Sequence, residues 1–139
     1  MAYNMFRFLN AHEDYFDLAL KEIQEGHKKS HWMWFIFPQM RGLGYSDKSE
    51  FYGFINLSEA KDFFNNTVLN KNLRDICQML LNLSEDINHI MGNYIDVLKL
   101  RSSMTLFDYI SPNDIFSDVL NKFFNGSKDL KTLSIIRHE

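Results

Sequence analysis

The run Trp32-Met33-Trp34-Phe35-Ile36-Phe37 constrains this chain more than any other stretch. All six residues are large and apolar, so neither a helical nor a strand period can turn one face to water. The run must be buried on every side. Lys28-Lys29-Ser30-His31 precede it; Pro38-Gln39 and then Arg41-Gly42-Leu43-Gly44-Tyr45-Ser46 follow. Burying the run carries these polar groups to the edge of the core, where a pocket can form. A short helix ending before Pro38 is the expected conformation, because proline disfavours helical geometry in Phe37. A strand is the competing reading, given the tryptophan, phenylalanine and isoleucine content.

The flanking segments carry helical signals. Asn10 and Glu13 have capping-box spacing, which predicts a helix from Ala11 to about Glu25, with Tyr15, Leu18, Ala19 and Ile23 inward. Gly26 is its left-handed stop. Tyr45 to Gly53 reads as a surface loop. Asn56 and Glu59 open a helix to about Phe64, and Asn65-Asn66 breaks it. A longer helix follows from about Asn70 to Leu83, with Leu69, Leu73, Ile76, Cys77, Leu80 and Leu81 as its apolar stripe. Ser84 caps a short helix ending at Gly92. Residues 93 to 110 form a helix apolar round most of its circumference, and therefore central. Ser111 as cap with Pro112 at the first position starts another, which stops at Asn125-Gly126. A last one or two turns run from Asp129 to about Ile136. The expected architecture is all-α, a single domain over residues 1–139, with about seven mostly short helices around a central apolar one. The runs at 31–37 and 93–110 should pack on each other, since only mutual burial removes both from water.

Net charge is −3 at neutral pH, against the basic face that duplex nucleic acid requires. No apolar stretch approaches the ~20 residues that span a bilayer, and no signal-peptide pattern opens the chain. The single Cys77 excludes an internal disulfide and fits a reducing compartment, so a cytoplasmic protein is expected. Cys77 itself reads as a buried, inert thiol. The five histidines show no paired metal spacing, and neither a metal nor a cofactor is expected. Neither a phosphate-cradling glycine loop nor a dinucleotide fingerprint is present.

Two clusters can carry chemistry. On the 93–110 helix, Asp96, Lys99, Ser102 and Ser103 share an arc of roughly 120°. Their bland reading is a surface stripe with an Asp96–Lys99 contact; the functional one is a set of donors lining a pocket for an anionic ligand. Around the apolar run, Lys28 and Lys29 read first as solvated charges. His31 begins the run, and a half-buried imidazole there can serve as acid, base or donor. Trp32 and Trp34 belong to the core or offer a ring face to a bound base. Gln39 supplies an amide for a nucleobase edge, and Arg41 can grip a phosphate. His12 reads as a solvated first-turn histidine.

Three motifs, Ser30-His31-Trp32-Met33-Trp34-Phe35-Ile36-Phe37-Pro38-Gln39, Gly42-Leu43-Gly44 and Lys99-Leu100-Arg101-Ser102-Ser103-Met104-Thr105-Leu106-Phe107, resemble one family. It is the bacterial family catalogued as domain of unknown function 1810, sometimes mislabelled calpastatin. The resemblance extends from Phe8 to the Asp129-Thr132-Leu133 region. It implies a mainly α-helical single domain and no established activity. Departures from the family pattern are His12, where glutamine is common, His27, where a basic residue is common, and an atypical Asn93-Tyr94-Ile95 turn.

Three functions compete on these residues. The first is a domain that binds an anionic small molecule, nucleotide-like or ADP-ribose-like, between Lys28–Gln39 and Lys99–Ser103. The second is an enzyme acting on such a ligand, with His31 as acid or base and Lys99 stabilising negative charge. The third is a helical interaction module with a tryptophan–methionine surface. In the pocket readings His31 and Lys99 share one cavity. Ligand identity, oligomeric state and pathway are not legible in these residues.

Overall fold

The computed structural model describes residues 3–139. Among them are nine helices: α1 (Phe6–Gln24), α2 (Met33–Ile36), α3 (Asp47–Tyr52), α4 (Leu57–Asn65), α5 (Thr67–Leu81), α6 (Ile87–Met91), α7 (Tyr94–Ile110), α8 (Ile115–Phe124) and α9 (Leu130–Arg137). There is no strand among the described residues, only an isolated backbone bridge between Met40 and Phe54. The protein is all-α.

Helix α7 is the centre. It buries Val97, Leu100, Met104, Leu106 and Phe107, and packs against α8, α6, α9 and α2. The contact with α2 is the expected pairing of the two most apolar stretches. Helix α1 lies on α5, which also contacts α4 and α8. Aromatic rings join these layers: Phe8 meets Phe63 edge-on at 5.0 Å, Phe63 meets Phe107 at 5.7 Å, and Phe107 meets Phe116 at 5.6 Å. Cys77 is buried against Met104, and burial pushes its thiol far above the ordinary range. It is an inert core residue.

Several boundaries move from their expected places, each for a visible reason. Helix α1 begins before Asn10, because the Asn4 side chain already accepts from the Phe6 N–H at 2.7 Å. Its inward face is Phe8, Ala11, His12, Phe16, Ala19 and Ile23, which leaves Tyr15 and Leu18 exposed. His12 is therefore buried rather than solvated. Its Nε2 lies 2.8 Å from the Phe35 carbonyl, which can only accept, so Nε2 carries the hydrogen and Nδ1 accepts from the Asn72 amide at 3.0 Å. Burial lowers its pKa to about 4 despite the bond to Phe35, and the ring ties α1 to α2 and α5 as a neutral pin.

The expected loop after Tyr45 instead contains α3, because the Ser46 hydroxyl accepts from the Ser49 N–H. Aspartates take over two predicted serine caps. Asp86, not Ser84, caps α6, and Asp114, not Ser111, caps α8. Asp114 is held there by Arg74 at 2.8 and 2.9 Å and by the Ser111 hydroxyl at 2.7 Å. The stops at Gly26 and Gly92 are left-handed as expected, with φ of 82° and 83°.

Candidate functional site

A cleft of about 580 Å³ opens between the segment Gln39–Ser49, the outer face of α7 and the start of α9. The first wall is built by backbone bonds at its base. Arg41 N–H donates to the Phe54 carbonyl at 2.9 Å, and Phe54 N–H donates to the Gln39 carbonyl at 3.0 Å. Gly44 lies so close to α3 that an added Cβ would sit 2.5 Å from Ser49 Oγ. Only glycine lets this wall close onto α3. Leu43, Tyr45, Ser46 and Ser49 then face the cleft, together with the Gln39 amide.

The second wall is α7, which presents Ile95, Leu98, Lys99, Arg101 and Ser102. These positions lie opposite the core face, which explains why a helix apolar almost all round still carries charge. Helix α9 adds Asp129 and Lys131. Three cations and one carboxylate thus line a cleft in a chain of net charge −3.

The carboxylate is well anchored. Asp129 Oδ2 accepts from Ser102 Oγ at 2.8 Å and from Thr132 Oγ1 at 2.5 Å, and its backbone N–H donates to Thr105 Oγ1 at 2.9 Å. Burial raises the pKa of Asp129, but these hydroxyls and Arg101, 3.9 Å from Oδ1, outweigh it and leave the acid below its usual range. Such a carboxylate is a poor general base. It is an acceptor, with Oδ1 less engaged than Oδ2.

Lys99 is different. Among the described residues no carboxylate lies within 4.0 Å of its Nζ. Its Nζ sits 4.8 Å from the centre of the Trp34 ring, and Lys48 Nζ sits 4.8 Å from the same ring centre. Burial lowers its pKa, the nearby Asp96 opposes this and Lys28 adds to it. The expected Asp96–Lys99 contact does not form because Asp96 is taken. Lys28 Nζ lies 2.8 Å from Asp96 Oδ2, and Asn93 Nδ2 donates to the same oxygen at 3.0 Å. Lys28 is accordingly buried, not solvated.

Of the residues singled out in the sequence, Gln39, Lys99 and Ser102 meet in the cleft. Lys28, His31 and Trp34 line a separate depression of about 90 Å³ together with Asp96. His31 and Lys99 therefore do not share one cavity; Trp34 lines the first and carries the second on its ring. His31 and Lys29 are exposed. Trp32 is wholly buried, and its indole donates to Glu22 at 2.9 Å. Arg41 is exposed and turned to Glu50, donating to its carbonyl at 2.8 Å. Ser103 is wholly buried, and its hydroxyl finds no partner among the described residues. No group of three or more metal-ligating side chains occurs among the described residues.

Tyr45, Ser49, Arg101, Asp129 and Lys131 were not singled out as site residues. Arg101 lies inside the Lys99–Phe107 motif, two positions from Lys99, so the motif itself held that signal. Asp129 reads as a helix start within the family resemblance, and nothing local ties it to Ser102, 27 positions earlier.

The family profile described as protein of unknown function, DUF1810, matches residues 2–136. The chain belongs to this family. The crystal structure of the conserved hypothetical protein Rv1873 from Mycobacterium tuberculosis superposes with a TM-score of 0.92 at 34% sequence identity, covering 96% of each chain. None of the curated proteins matches the sequence. Family membership thus supports the helical fold across nearly the whole chain.

Proposed function

We propose that the cleft binds an anionic small molecule, nucleotide-like or ADP-ribose-like. The observation that carries this reading is Lys99, a half-buried ammonium facing the cleft with no carboxylate within 4.0 Å among the described residues. Desolvating an unpaired cation is costly, and an anion supplied from solution offsets that cost. Arg101 and Lys131 are placed to share a phosphate charge. Tyr45, 88% exposed on the opposite wall, offers a ring face to a base. Gln39 offers an amide to its edge, and Oδ1 of Asp129 can accept from a sugar hydroxyl.

Neither competing reading draws the same support. His31 lies outside the cleft, so an acid–base role on a ligand held there has no geometry behind it. An interaction module called for an exposed tryptophan–methionine patch, whereas both tryptophans and all described methionines are buried or half-buried. No helix among the described residues is long and apolar enough to cross a membrane. We place the binding in the cytoplasm, where a free, buried Cys77 is at home.

The test is calorimetric titration with adenosine monophosphate, ribose 5-phosphate and ADP-ribose. At least one should bind, and Lys99→Met should weaken it about 10- to 100-fold, the worth of one charge-assisted hydrogen bond. Lys29→Met, exposed and outside the cleft lining, should leave affinity unchanged. Equal affinity in the Lys99→Met protein would remove the reading.

A further inference from the structure

The surroundings of Lys99 bear on more than binding. Its natural partner on α7 is Asp96, one turn earlier, yet that carboxylate is occupied by Lys28 and Asn93. Two ammonium groups also stand near it: Lys48, over the same indole ring, and Lys28, the partner of Asp96. The indole face and the remaining field of Asp96 favour the charged amine. Burial, first, and then Lys28 oppose them, and the balance lies below the ordinary lysine range. An amine so placed has a larger neutral fraction at pH 7 than a surface lysine, and the neutral amine is the nucleophile. The chain has other lysines, but Lys99 combines half-burial, cationic neighbours and an open cleft wide enough for a ligand.

We propose that Lys99 is a nucleophilic amine that forms an imine with a phosphorylated aldehyde or ketone held in the cleft. The inference rests on the anion-binding reading, since Arg101 and Lys131 are what would hold the phosphate while Lys99 meets the carbonyl. The nitrogen lone pair bonds to the carbonyl carbon, and the carbonyl π pair moves to oxygen. A proton passes from nitrogen to that oxygen through cleft water, which gives a carbinolamine. The nitrogen lone pair then expels the hydroxyl, which leaves as water with a proton taken from solvent. Loss of the remaining nitrogen proton returns that proton to solvent. The sum is amine plus carbonyl to imine plus water, with no change of oxidation state. Ser102, one turn beyond Lys99 and bonded to Asp129, is the nearest fixed hydroxyl on the same helix face.

Pyridoxal 5′-phosphate is a suitable probe, because it joins a phosphate, a flat ring and an aldehyde. Pyridoxine 5′-phosphate, an alcohol in place of the aldehyde, is its unreactive twin. The full chain is incubated with one equivalent of the aldehyde near pH 7, reduced with borohydride and mapped by peptide mass. The adduct should fall on Lys99 at least 10-fold more than on exposed Lys21 or Lys61, and the twin should suppress it. In Lys99→Arg, which keeps the charge and the packing, the adduct should vanish while the twin still binds by calorimetry. An adduct spread evenly over the lysines overturns the inference. Binding of the twin without an adduct on Lys99 overturns it too, but leaves the anion-binding reading standing. Failure of both the twin and the aldehyde to bind overturns the inference, and only failure of adenosine monophosphate, ribose 5-phosphate and ADP-ribose as well overturns the anion-binding reading with it.

Discussion

Glu22 and Lys99 are two charges withdrawn from water in one protein, and they are treated in opposite ways. The Glu22 carboxylate accepts from the backbone N–H groups of Lys29 and Ser30, both at 2.9 Å, from Ser30 Oγ at 2.6 Å and from the Trp32 indole at 2.9 Å. Burial alone would raise its pKa, but these four donors bring it down to about 2. Both oxygens have partners, three donors on Oε1 and one on Oε2. Lys99, by contrast, has an indole beneath it and no carboxylate within 4.0 Å among the described residues. A saturated charge holds the chain in place, as Glu22 holds the segment leading into α2. An unsaturated charge beside a cleft is held in readiness for something that is not part of the chain. The adjacent pair Lys28–Asp96 belongs with Glu22, and its completeness is what leaves Lys99 alone.

The largest expected effect breaks the saturated side. Trp32→Ala removes a wholly buried indole and one of the four donors to Glu22, and should destabilise by about 3–5 kcal/mol in urea unfolding. Trp34, half-buried, should lose only about 2 kcal/mol on the same change. Equal losses for the two would erase the distinction between the two regions.

A somewhat smaller effect appears in the pH dependence. His12 falls from an ordinary 6.5 to about 4, so its contribution is complete above pH 6.5 and is lost as pH falls to about 4. Glu22 falls from 4.5 to about 2, so its contribution is complete above pH 4.5 and is lost on the way to about 2. Each amounts to roughly 3 kcal/mol. Denaturant midpoints should therefore decline in two stages, with His12→Gln flattening the upper stage and Glu22→Gln the lower. A midpoint constant from pH 7 to 4 would refute the neutral, buried His12.

The smallest effect is on the unsaturated side. Lys99→Met should change stability by no more than about 1 kcal/mol, because the lost cation–π contact is set against the relief of a desolvated charge. A large loss of stability would make Lys99 structural after all.

The helices were legible because each rests on local chemistry: an apolar period, an asparagine cap, a glycine stop. Asn56, Gly26, Gly92 and Asn125-Gly126 act where their types say they should. Ser84 and Ser111 misled because an aspartate two or three residues on competes for the same role, and only tertiary partners such as Arg74 decide the winner. His12 misled because Asn10 and Glu13 offered a plausible start, which placed the histidine in a first turn that does not exist.

The lining of the candidate cleft was half legible. The motifs located Gln39, Lys99 and Ser102, because polar residues inside apolar stretches need a reason that short-range pattern can flag. Which of them face one another was beyond that pattern. His31 and Lys99 ended on different sides of Trp34, and Asp129 arrived from a distant helix to close the cleft. The sequence alone determined that this chain is helical, that the runs at 31–37 and 93–110 pack on each other, and that polar groups are carried to their margin. Only the tertiary structure decided which charges were saturated and which were not. Saturation depends on distances between residues far apart in the chain, and Lys99 was left unpaired because Lys28, 71 positions earlier, reached Asp96 first.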